Sequence, residues 1–147
     1  MTALQPEPLT DELLQQLLDS ATPEAYLAQA NLPSRSLADY AHQLLEERGI
    51  SRADVIRASG INATFAYQVF KGERNIGRDH AIMLAFGLRC SLVEAQRLLR
   101  LAGASELWCK VRRDAIIIFC LQHGMTRAEC DDELYRLGEP TLLTSEG

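Results

Sequence analysis

Apolar residues recur along this chain at the three-and-four spacing of amphipathic helices, in a series of short segments. Leu37, Tyr40, Ala41, Leu44 and Leu45 occupy i, i+3, i+4, i+7 and i+8 of one segment, and Leu92, Ala95, Leu98, Leu99 and Ala102 repeat the pattern in another. Strand-like alternation is sustained nowhere. The run Ile116-Ile117-Ile118-Phe119 has β-branched residues that would suit a strand. Its apolar periodicity extends back to Val111 and Leu107, so a buried helix over 105–123 is the expectation.

Punctuation between the segments agrees. Gly49, Gly60, Gly72, Gly103, Gly124 and Gly138 each follow a helix-like stretch, where C-terminal caps fall. Ser51 and Asp54, Ser91 and Glu94, and Thr126 and Glu129 have capping-box spacing, an N-cap oxygen with an acid three residues on. Pro23 suits a first helical turn, where its missing N–H leaves nothing unpaired. Together these predict an all-α chain with helices near 10–19, 23–30, 35–48, 51–59, 62–71, 78–88, 91–102, 105–123 and 126–137.

Composition narrows the class. A chain of 147 residues, 47% hydrophobic and 24% charged, suits one compact domain with appendages and argues against disorder. No stretch approaches the roughly 20 apolar residues of a membrane helix. The longest run, Ala115–Leu121, is bounded by Arg112-Arg113-Asp114 and Gln122-His123. Met1–Glu7 lacks the basic start of a signal peptide, and a cytoplasmic location is expected, with no membrane partner. Cys90, Cys109, Cys120 and Cys130 form no Cys-x-x-Cys and have no His at zinc-ligand spacing, so they read as small hydrophobes, with no metal expected.

The net charge of −5 looks wrong for a nucleic-acid binder until it is divided. Residues 1–33 hold five acids and no Lys or Arg, a net −5; residues 34–113 hold 13 Lys/Arg against 8 acids, a net +5; residues 114–147 hold two arginines against seven acids, again −5. Screening confines such fields to about 8–10 Å, so the basic middle acts locally. This suggests an acidic N-terminal helical arm at 1–33, a functional domain at 34–103 and a C-terminal helical extension at 104–147 that packs on it.

Within the basic middle, Ser51–Gly72 reads as a short capped helix, a tight turn at Gly60-Ile61-Asn62, and a second short helix capped by Asn62. The second helix is two-faced. Phe65, Ala66, Val69 and Phe70 form an apolar stripe, while Ala63, Thr64, Tyr67, Gln68 and Lys71 lie on the other side. Small residues at its start would let the backbone enter a major groove, Gln can bond an adenine edge through two contacts, Thr offers a methyl to thymine, and Lys reaches phosphate.

The stretch from Leu37 to Leu101 resembles the XRE/Cro-CI-type helix-turn-helix domain: Gly49-Ile50-Ser51 at the entry, the Gly-Ile-Asn turn, Lys71-Gly72-Glu73-Arg74 at the exit, and two further helices closing a five-helix, phage-repressor-like bundle. Arg78-Asp79, Leu84–Leu88, Glu94–Leu99, Arg113–Phe119 and Leu134-Tyr135 with Gly138-Glu139-Pro140 are similar to a group of bacterial regulators, mostly of Firmicutes type, with an acidic N-terminal arm and a C-terminal helical extension. The resemblance implies base contacts at Ala63, Thr64 and Gln68, with Tyr67 beside them. It implies phosphate contact at Arg52 and in the loop Arg74–Arg78, to which Asn62 and Lys71 add their own donors. The pattern departs from the family at Ile56, where Ala is usual, at Ala66, where a branched aliphatic is usual, and at Ser59, where Leu is usual.

Other chemistry is sparse. His42, His80 and His123 share no nucleophile or acid at catalytic spacing, and Gly72–Gly77 lacks a preceding strand and a Lys-Ser/Thr, so neither catalysis nor a cofactor is expected. Lys110, Arg112 and Arg113 read as a solvated helix face rather than a second DNA patch, and Leu107 and Trp108 as core, with a dimer seam the alternative. The expected function is that of a sequence-specific transcriptional regulator binding double-stranded DNA as a homodimer, with Ile117, Phe119, Leu121 and Leu134 supplying the dimer interface. The alternative is an adaptor that keeps the scaffold and binds a protein partner, favoured by the acidic flanks, the Phe65/Tyr67/Phe70 group and the poor hydrogen-bonding power of Ala63.

Overall fold

The computed structural model describes residues 10–29 and 36–143, and the chain forms two compact units, 1–34 and 35–147. The first contains α1 (Thr10–Asp19) and α2 (Pro23–Gln29), with Pro23 in the opening turn and Thr22 Oγ1 accepting the Ala25 N–H at 3.0 Å. Leu14, Leu17, Leu18 and Leu27 are exposed on it. Ala30 and Arg35, at the ends of two expected helices, lie outside the described residues.

The second unit holds α3 (Leu37–Arg48), α4 (Arg52–Ser59), α5 (Ala63–Phe70), α6 (Arg78–Gly87), α7 (Leu92–Leu101), α8 (Arg112–Gln122) and α9 (Arg127–Arg136). The described residues are thus all-helical, without a strand. Complete capping boxes start α3 at Ser36/Asp39, α7 at Ser91/Glu94 and α9 at Thr126/Glu129. At α4 only half of the box forms: Ser51 Oγ accepts the Asp54 N–H, while the Asp54 carboxylate turns to Arg57. All six glycines read as helix ends have positive φ. At Gly60 this is decisive, because φ of +79° sets the reversal between α4 and α5 and an L side chain there would be strained.

Helix α6 is the hub. Ala81 through Gly87 are buried on every side, and the helix packs on α4, α7 and α9. Gly87 makes its approach to α4 possible: a Cβ there would stand 2.6 Å from the Val55 carbonyl oxygen and 3.1 Å from Ser59 Cβ. Ser59 completes the fit from the other side. It is fully buried yet satisfied, its hydroxyl donating to the Ile56 carbonyl at 2.8 Å and accepting the Ile61 N–H at 3.2 Å. A leucine at 59 would have no room over Gly87.

The segment 105–111, expected as the start of a long helix, is instead a loop, and α8 begins at Arg112. Its backbone is claimed by side chains before a helix could use it. Gln96 accepts the Leu107 N–H at 2.7 Å and donates to the Leu107 carbonyl at 2.8 Å. Asp114 accepts the Trp108 N–H at 3.0 Å, and Val111 is extended at φ −95°, ψ 123°. Leu107 is therefore core, as read, but from a loop; Trp108, also read as core, is 58% exposed with Lys110 5.7 Å from its ring. The Ile116–Phe119 run is helical.

Two other expectations are corrected. Of the residues expected at a dimer interface, Ile117, Leu121 and Leu134 are buried within the chain, and Phe119 is 55% exposed. Arg113 is not a solvated cation. It forms a two-bond pair with Asp79 at 2.9 and 3.1 Å and donates to the Pro140 carbonyl at 2.9 Å, tying α8 to α6 and to the C-terminal segment.

Candidate nucleic-acid interface

Helix α5 has two faces, as its sequence dictates. Ala66, Val69 and Phe70 are buried, while Ala63, Thr64 and Tyr67 are exposed and Gln68 is half-buried. The buried side is anchored at both ends. Asn62 Oδ1 accepts the Phe65 N–H at 3.2 Å, which satisfies one orphan donor of the first turn. At the other end His42 on α3 lies 2.9 Å through Nε2 from the Phe70 carbonyl; a carbonyl only accepts, so Nε2 carries the proton. The Asn62 oxygen is used by the cap, which leaves its amide N–H groups for a ligand.

Three cations frame the exposed side. Arg52, the first residue of α4, holds its guanidinium carbon 5.8 Å from the Tyr67 ring centroid. Arg74, in the loop after α5, holds its own 5.3 Å from the Phe65 ring centroid, and Phe65 packs on His80 with centroids 5.1 Å apart. Lys71 caps the C-terminal end of α5 and is exposed. Among the described residues, none of Arg52, Lys71 and Arg74 pairs with a carboxylate, whereas Arg57 pairs with Asp54 beside them. The hydrogen bonds from Ser51 and then Arg57 hold the Asp54 carboxyl below its ordinary pKa, so this acid at the start of α4 is ionised and already paired with Arg57. Two of the three framing cations are therefore placed over aromatic rings, which restricts their motion without quenching their charge.

Arg78, expected at phosphate, is placed elsewhere. Its guanidinium grips the Asp114 carboxylate through two bonds of 3.0 and 2.7 Å and donates to the Ser105 and Glu106 carbonyls at 3.0 and 3.1 Å. Every one of these contacts faces the loop 105–111 and α8 and together they use four of the five guanidinium N–H groups, so Arg78 is a clamp of the fold held away from the α5 surface. Asp114 is buried, and burial pulls its carboxyl pKa upward; the Arg78 bonds, the Trp108 N–H and the Arg78 and Arg113 charges outweigh this and hold it below the ordinary value.

The structure thus brings Ala63, Thr64, Tyr67, Gln68, Asn62, Arg52, Lys71 and Arg74 to one surface and separates Arg78 from it. Sequence reading did not reveal the stacking of Arg52 on Tyr67 or of Arg74 on Phe65. Both depend on how α4 and the 71–77 loop cross α5, which residue spacing does not encode. Among the described residues no three His, Cys, Asp or Glu side chains converge as a metal site, and no helix is long and apolar enough to cross a membrane. Comparison of the chain with protein-family models, curated proteins and solved structures finds no match, so this interface rests on its own residues and geometry.

Proposed function

We propose that this chain is a sequence-specific DNA-binding regulator of transcription. In this reading α3–α7 form a phage-repressor-type helix-turn-helix domain, and α5 enters the major groove from a homodimer. One observation carries the reading: a short helix anchored on its apolar side presents small and hydrogen-bonding residues outward, framed by three cations that have no carboxylate partner among the described residues. A helix with its side chains is about 10–12 Å across and the major groove about 12 Å wide. Ala63 and Thr64 keep the leading end of α5 slim. Gln68, one turn on from Thr64, carries the donor–acceptor pair that matches an adenine edge.

Arg52, Lys71 and Arg74 then fall on phosphates at the groove walls, and the free Asn62 amide adds a neutral donor near the leading end. A homodimer would double these contacts, which suits a module whose reading helix is only eight residues long. On the C-terminal helices, Phe119 and Tyr135, 55% and 81% exposed, are the aromatics left for such an interface.

Selection from randomised duplexes should enrich a two-fold related site. Gln68→Ala should then weaken binding by about 1–3 kcal/mol and relax preference at one position of each half-site, as loss of a bidentate base contact does. The fold should be unchanged, because the Gln68 amide bonds nothing within the chain among the described residues. Selection that enriches no sequence would contradict the reading and favour the protein-binding adaptor.

A further inference from the structure

Away from the α5 surface, a cleft of about 550 Å³ opens where α4, α6, α7, α8 and α9 meet. Its size lies within the usual range for small-molecule sites, about 300–1,000 Å³. Phe86, Leu121 and Met125 give it an apolar side, and Arg48, Arg89 and Arg127 give it a cationic one. Among the described residues Glu94 is the one acid in its lining, and it is already engaged by Arg48 and by the Ser91 N–H. Its carboxyl, pulled up by burial but held lower by those bonds and the Arg48 charge, stays ionised. The N-terminal ends of α7 and α9 also border the cleft and add positive potential.

Two buried donors in this lining are unfilled. Nη1 of Arg48 stands 4.0 Å from the nearest Glu47 carboxylate oxygen, beyond hydrogen-bond reach, and among the described residues it has no acceptor. Arg127 spends Nη1 on Asp131 at 2.5 Å, while its buried Nε–H has no acceptor among the described residues. Buried donors of this kind are rare in native structures, and a guanidinium N–H without an acceptor is costly. The Cys90 thiol in the same wall is no reactive group, since burial pushes its pKa up to about 12.

We propose that this cleft binds a small organic anion, a carboxylate or phosphate monoester carried on an apolar body. The anion sits against the exposed Arg89 guanidinium and draws the shielded Arg48 and Arg127 donors to it by small side-chain shifts, while the body lies on Phe86, Leu121 and Met125. Arg127 gives such a ligand a route to the rest of the domain, because its Nε sits 2.8 Å from where a Cβ on Gly60 would be, against the turn between α4 and α5. An occupant that draws on the Arg127 donor therefore acts on the residue that backs this turn. The binding claim is independent of DNA recognition.

The test is amide chemical-shift titration of the full chain with benzoate and phenyl phosphate, set against benzyl alcohol and inorganic phosphate. Either organic anion should shift Gly87, Gly124 and Arg127 amides saturably in the millimolar range, with benzyl alcohol and inorganic phosphate each at least about tenfold weaker. Benzoate stronger than phenyl phosphate assigns a carboxylate ligand, and the reverse assigns a phosphate ester. Arg127→Lys keeps a cation beside Asp131 but removes the Nε–H, and should weaken the preferred anion about tenfold, as loss of one charge-assisted bond does. Arg89→Gln, at an exposed position on the rim, secures the test should Arg127→Lys unfold; it should weaken both anions and leave benzyl alcohol unaffected. Absence of saturable shifts, or binding indifferent to charge and to both substitutions, would overturn the proposal.

Discussion

Replacing Asp114 by alanine should destabilise the protein by about 2–4 kcal/mol at neutral pH, a little under the roughly 3–5 kcal/mol of breaking a fully buried ion pair because Arg78 keeps some contact with solvent. The carboxylate accepts two Arg78 bonds and the Trp108 N–H, so its loss leaves the Arg78 charge without a counter-ion and two guanidinium N–H groups and a backbone donor without an acceptor. The loop 105–111 would lose its anchor to α8, and Leu107, held from that loop, would loosen with it. The sign of the pH dependence follows from the depressed pKa of Asp114. Its contribution is complete above its unfolded value of about 3.9 and is lost as pH falls through the lower, folded value. Urea unfolding should therefore show a wide gap between wild type and Asp114→Ala at neutral pH that narrows as pH falls below about 4. Equal stabilities at neutral pH would refute the clamp.

Gly87→Val should be still more damaging at a single position, by about 3 kcal/mol or more, because overpacking usually costs about 1–3 kcal/mol and here the obstacle is backbone. Even the Cβ would lie 2.6 Å from the Val55 carbonyl oxygen and 3.2 Å from the Ser59 nitrogen. A flexible side chain could swing away; a helix backbone can yield only by moving α4 off α6. Since α4 carries Arg52 and the Gly60 turn, the displacement would reach the proposed DNA surface as well as the core. Thermal unfolding should place Gly87→Val far below wild type and Gly87→Ala between them. Wild-type stability in Gly87→Val would mean that α4 and α6 are not in close contact.

The local rules of helix formation were legible in the residues themselves. Capping serines and threonines, positive-φ glycines and apolar stripes each act within a few positions, and the helix bounds they imply agree with those observed to within a residue or two across 36–102. What failed was long-range. Leu107 and Val111 continue the apolar rhythm of α8, yet Gln96 and Arg78, from other helices, claim the backbone there. The same distance effect hid the fate of Arg78 and Arg113: a cation's partner across the fold decides whether it faces water or an interior carboxylate. Ile117, Leu121 and Leu134 read as interface residues alongside Phe119, and only the packing of α8 on α9 and α7, and of α9 on α6, separates them from it. In the candidate site the faces of α5 were readable from helical periodicity, whereas the placing of Arg52 and Arg74 over aromatic rings was not.

The central claim is that the α5 surface binds duplex DNA through a defined set of cations, and salt dependence measures that set directly. Fluorescence anisotropy of the full chain on its selected duplex should give log K falling linearly with log salt. The slope should be about −3 for one protomer's three cations and about −5 for a dimer's six, since each neutralised phosphate contributes about −0.9. Lys71→Ala should make the slope shallower by about 1 per protomer while leaving base preference intact. No binding at low salt, or binding whose slope is flat and indifferent to Lys71, would contradict the account.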